Sequence, residues 1–80
     1  MRGLKETTQL REKFGDRIRS LRAARSFTQE QLAERAGISV DFLSLIERGK
    51  NSPSFENLEE LADALEVSVA QMFSFEESSS

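Results

Sequence analysis

Leu10, Phe14, Ile18 and Leu21 recur at intervals of four, four and three residues, which predicts one amphipathic helix running to about Arg25. Leu32 and Ala36 start a second apolar face four residues apart. Thr28 stands where that helix needs an N-cap, and Gln31 lies three residues on, placed to close a capping box, so a helix is expected over about Gln29 to Ala36. Gly37 falls where it must end and takes the left-handed backbone angle that other residues resist. Ser39 then caps a third helix over about Val40 to Arg48, with Leu43 and Ile46 on its buried side and Gly49 as its C-cap. Ala33 is small where these two helices must approach. Past the Asn51-Ser52-Pro53 loop, Ser54 caps a fourth helix on which Phe55, Leu58, Leu61, Ala62 and Leu65 repeat at helical intervals. Glu56, Glu59 and Glu60 suit the positive end of its dipole. Ser68 caps a short fifth helix through about Phe73. The pattern holds no strand alternation and no repeat. An all-α fold of five helices around one core is expected, as a single domain over residues 8–75 with a flexible tail at 1–7 and a serine-rich disordered tail at 76–80.

Two short helices joined by a glycine turn over residues 28–48 are the sequence form of a helix-turn-helix, which sets its second helix into the major groove of DNA. Composition then removes other chemistries. The 80 residues include no cysteine and no histidine, so thiolate sites, disulfides and the commonest general base are unavailable. No enzymatic activity, metal or cofactor is expected. No apolar run approaches the roughly 20 residues that cross a bilayer, and a cytoplasmic protein is expected.

The net charge of −3 argues against DNA until its distribution is read. Residues 1–25 carry eight Lys/Arg against three Asp/Glu, residues 26–50 carry three against four, and residues 51–80 carry seven acids and no base. Such a chain can turn a basic face to phosphates while its acidic end stays away.

Residues 14–73 resemble the DNA-binding domain of lambda-repressor-like (Xre/Cro-type) regulators. The resemblance is carried by Phe14-Gly15-Asp16-Arg17-Ile18-Arg19, Leu21-Arg22, Thr28-Gln29-Glu30-Gln31-Leu32-Ala33, Ala36-Gly37-Ile38-Ser39, Ile46-Glu47-Arg48-Gly49-Lys50, Pro53-Ser54 and Leu65-Glu66-Val67-Ser68. It implies an ion pair between Glu47 and Arg22 of the first helix. It also implies that Gln29, at the start of the second helix, touches backbone phosphate.

At about 100° per residue, Val40, Asp41, Ser44, Leu45 and Arg48 fall within roughly 140° of the third helix, opposite Phe42, Leu43, Ile46 and Glu47. The first arc is the face offered to the groove. It holds none of the Gln, Asn or Lys side chains that read purines, so Val40 and Leu45 are assigned to thymine methyl groups and Asp41 to cytosine. Leu45, often basic or polar in the family, also fits a patch that grips a protein. Arg48, Lys50 and Gln29 form the expected phosphate clamp. Thr28, Ser39 and Asn51 are secondary phosphate contacts, each also explained as a cap or turn residue.

A module this small buries too little surface to find one site alone, and its relatives act as two-fold dimers on pseudo-palindromes. The layout is similar to that of small stand-alone restriction–modification controller proteins. Val69, Met72 and Phe75 are assigned to a dimer interface and Phe73 to the core; the alternative for Phe75 is to fold back onto the fourth helix. The expected partners are therefore double-stranded DNA and a second copy, with no membrane, no effector domain and no small-molecule effector. The rival reading is an antitoxin-like or adaptor module that uses the same fold to bind protein.

Overall fold

The structure, a computed structural model, describes residues 2–75, with side chains from residue 9 onward. Its five helices are α1 (Arg2–Ala24), α2 (Gln29–Ala36), α3 (Val40–Glu47), α4 (Phe55–Leu65) and α5 (Val69–Met72), and no strand occurs among the described residues. The tail expected at 76–80 lies outside them. At the other end the helix starts at Arg2, not near Leu10, so most of the expected tail is helical backbone. Arg2, Leu4, Lys5 and Glu6 are good helix formers, and their propensity carries the helix past the end of its apolar stripe.

Local chemistry sets the other boundaries. The Thr28 hydroxyl accepts from the Gln31 N–H at 3.0 Å, while the Thr28 N–H donates to Gln31 Oε1 at 2.9 Å. The same reciprocal box closes on Ser54 with Asn57 and on Ser68 with Gln71. Ser39 accepts from the Phe42 N–H at 3.0 Å. Gly37, at φ 74°, ends α2 and sends its N–H to the carbonyls of Ala33 and Glu34. These caps satisfy orphan donors and acceptors at the ends of α2 to α5, helices of one to three turns.

α1 lies against α3 and α5, while α4 lies against α2 and α5. Phe14 and Ile18 of α1 meet Leu32, Ala33 and Ala36 of α2, Leu43 and Ile46 of α3, and Leu61, Ala62 and Leu65 of α4 in one buried cluster. Met72 closes it, with no exposure at all, whereas Phe73 remains 38 % exposed on its edge. This reverses the expected roles: Met72 fills its own core and is not available to a second copy. α5 is one turn long, so a single position points inward, and that position is 72, not 73. Phe55 is a second departure, at 86 % exposed on the first residue of α4, where no other helix passes over it.

Gly15 is where α1 meets the end of α3. A Cβ there would collide with the Ile46 carbonyl oxygen and sit 2.6 Å from that of Glu47, both rigid backbone. Gly37 has open space around the same position and only its positive φ to protect. Gly15→Ala should therefore cost at least the ~3 kcal/mol upper end of overpacking, and Gly37→Ala about 1 kcal/mol. Urea unfolding of the two variants checks this; equal losses would mean that the α1–α3 approach has slack.

Candidate nucleic-acid interface

The helix pair α2–α3 is held from behind by a carboxylate. Glu47, the last residue of α3, is 2 % exposed among apolar neighbours. A charge so placed is costly unless fully bonded, and two residues, Arg22 and Gln29, bond it. Arg22 Nε donates to Glu47 Oε2 at 2.6 Å and Nη2 to Oε1 at 3.0 Å, a two-pronged contact. Gln29 Nε2 donates to the same Oε1 at 2.9 Å. Arg19 Nη2 donates to the Glu47 backbone carbonyl at 2.9 Å, placing a cation at the negative end of α3. Arg22 also reaches the Phe27 carbonyl through Nη1 at 2.9 Å, which ties down the turn before α2. Hydrogen bonding to Glu47 raises the Arg22 pKa above its ordinary value, against the opposing pull of burial. The guanidinium thus stays charged well beyond physiological pH.

The other residues named from the sequence divide by environment. Asp41, Arg48, Lys50 and Asn51 are exposed, and Ser44 and Leu45 are half-buried. Leu45 stands outside the core cluster, while Val40 packs against the edge of that cluster. Thr28 and Ser39 are exposed and engaged as caps. Asn51 Oδ1 accepts from the Ser52 N–H at 2.8 Å, fixing the loop after α3. α3 ends one residue earlier than expected, with Arg48 as its C-cap and Gly49 following at φ 74°.

Gln29 differs most from its assignment. It is half-buried and one amide N–H is committed to Glu47, so at most the other is left for an external acceptor. Arg19 and Gly15 were not picked out individually from the sequence. The available signal for Arg19 was its position three residues before Arg22, on the same face of α1. Among the described residues no group of acidic side chains is placed to hold a metal ion, and no helix is long and apolar enough to cross a membrane.

Two short helices in a fixed relation, the second followed directly by the exposed cations Arg48 and Lys50, define a helix-turn-helix DNA-binding domain. Residues 18–72 match the helix-turn-helix family HTH_3. An immunity repressor protein of Bacillus phage phi105 is 45% identical over 56 residues, which are 70% of this chain and 39% of the repressor. The regulator YazB of Bacillus subtilis is 41% identical over 61 residues, 76% of this chain and 88% of YazB. The restriction-modification controller protein C.AhdI of Aeromonas hydrophila superposes with a TM-score of 0.77 at 36% identity, over 79% of this chain and 96% of the controller. The chain belongs to the HTH_3 family of helix-turn-helix transcriptional regulators.

Arg22→Ala removes three hydrogen bonds and leaves Glu47 buried without its cation, which should cost about 3–5 kcal/mol. Arg25 pairs with Glu66 at 3.2 Å on the surface, both side chains exposed, and Arg25→Ala should cost less than about 1 kcal/mol. Thermal melts of the two variants side by side give the answer. Similar melting temperatures would show that the carboxylate finds other partners.

Proposed function

We propose that the chain is a sequence-specific regulator that binds a pseudo-palindromic operator as a dimer, with α3 in the major groove. What carries the reading is the division of charge around α3. Its one buried carboxylate is neutralised from behind by Arg22, while Arg48 and Lys50 stand exposed beside Asp41, Ser44 and Leu45. The acids of α4 (Glu56, Glu59, Glu60 and Asp63) are exposed on a different helix. Arg48 and Lys50 bind phosphate, and the free amide N–H of Gln29 adds a contact at the α2 N-terminus. Leu45 and Val40 meet thymine methyl groups, and Asp41 accepts from cytosine. Such a regulator works in the cytoplasm, where bacterial and phage DNA is read.

The second copy docks on the α5 side. Val69 and Phe73 are 37 % and 38 % exposed, whereas Phe75 is half-buried and packs against its own core cluster, as the fold-back alternative expects, with its ring 6.1 Å from that of Phe73. An exposed apolar strip that is self-complementary is what a two-fold contact needs.

Selection of bound fragments from random duplexes should return two inverted half-sites about one helical turn, ~34 Å, apart. Log affinity should fall linearly with log salt, by about 0.9 per phosphate neutralised, and Arg48→Ala should weaken every duplex while reducing that slope by about one per half-site. A single asymmetric half-site would overturn the dimer. Failure to retain any duplex would favour a protein-binding module, with Leu45 at its centre.

A further inference from the structure

Between α1, the 51–53 loop and α4 lies a pocket of about 150 Å³ walled by Leu10, Arg11, Phe14, Pro53, Leu58 and Phe73. The pocket opens to solvent, and Asn51 and Ser52 complete its lining; a closed apolar cavity of about this volume takes up a benzene molecule. Its walls are mostly carbon, and Leu10 and Phe73 at its edge are 46 % and 38 % exposed. One wall carries a polar atom without a partner: Arg11 Nε is buried and makes no hydrogen bond. Nothing in the DNA-binding reading uses this pocket.

Beside it stands a ring with no place to go. Phe55 is 86 % exposed on the first residue of α4, two residues after Pro53 and one helical turn before Leu58, both of which wall the pocket. Phe55 does not itself line the pocket, so a two-fold axis that seats each exposed ring in the other copy's pocket would use both features at once. The charges agree. Glu56 adjoins Phe55 in sequence and Glu59 lies one turn on along the same helix face, both exposed, while the receiving wall carries Arg11.

We propose that the pocket receives the partner subunit's Phe55, each copy donating its ring and accepting the other, with the partner subunit's Glu59 brought to Arg11. This rests on the dimer reading above and locates its centre on α4 and α1, next to the Phe73–Phe75 strip. It also gives the pocket its occupant without any small molecule. The 51–53 wall directly follows Lys50, so the contact lies next in the chain to the α2–α3 unit.

Sedimentation equilibrium on the full chain tests it, with far-UV circular dichroism recording helix content. Phe55→Ser removes an exposed ring and should keep its helices, while the dimer dissociation constant rises on the order of a hundredfold or more, because two rings leave one symmetric interface. Arg11→Glu and Glu59→Arg should each weaken the dimer about tenfold, and the double variant should recover most of that loss. If Phe55→Ser dimerises like the wild type while Phe75→Ser dissociates, the pocket contact is overturned and the α5 interface stands alone. If each charge reversal weakens the dimer and the double variant weakens it further, the Arg11–Glu59 pairing is overturned. If the wild type is monomeric up to 100-fold above the concentration at which it binds DNA, the dimer reading fails, and the pocket contact with it.

Discussion

Glu47 is the constraint around which this small domain is arranged. Its carboxylate is buried at the end of α3 and is stable there only because Arg22 reaches it from α1 and Gln29 from α2. Those three bonds fix how three helices meet, and Arg22 adds the Phe27 carbonyl, so the turn into α2 is held by the same guanidinium. A buried ion pair adds little net stability compared with well-packed apolar groups. Its value here is geometric. With apolar contacts alone, α3 could rotate or slide on α1; a forked Arg–carboxylate contact permits one register.

The same junction explains why α1 carries a glycine among bulky neighbours. Gly15 lets the α1 backbone come within contact of the last carbonyls of α3, where Arg19 then bonds the Glu47 carbonyl. The carboxylate, its backbone carbonyl and the glycine opposite them are thus parts of one close approach. The outer face of α3, where Arg48 and Leu45 lie, is presented at an angle set by residues that never need to touch DNA. A regulator with helices this short cannot rely on helix length for rigidity; caps at both ends and one bonded charge supply it.

Charge is segregated along the chain and then in space. The seven acids after residue 50 meet no base in their own segment, and Arg25, in the turn after α1, reaches across to Glu66. Arg25 and Arg35 also lie over the Phe27 ring, 5.8 and 4.7 Å from its centroid. The net charge of −3 is therefore a poor guide to the surface that matters. What counts is that the acids of α4 and the cations after α3 stand on different elements.

By itself the sequence determined the five elements and the ends that carry a side-chain cap or a glycine turn, because caps and turns are local chemistry; the start of α1, which has no such signal, it did not determine. Thr28 with Gln31, Ser54 and Ser68 with the residues three further on, and Gly37 all act within one turn of chain, and the helices begin or end where they stand. Periodicity likewise marked the inner faces of α1 to α4, since a stripe at helical spacing must be covered. Positions 10 and 55 broke that rule: both keep the interval, yet Leu10 is 46 % exposed, and no element crosses the start of α4, so Phe55 is exposed as well. Only the tertiary structure decided which of two adjacent residues, Met72 or Phe73, closes the core, because a one-turn helix has no periodicity to reveal its inward side. It also decided that Gln29 turns to Glu47. One amide N–H of Gln29 goes to that carboxylate and one is left for an external acceptor, a division that depends on where a residue 18 positions later comes to rest. Local rules fix where helices start and stop; which polar and aromatic groups meet depends on packing between segments distant in the chain, and no interval within the sequence encodes it.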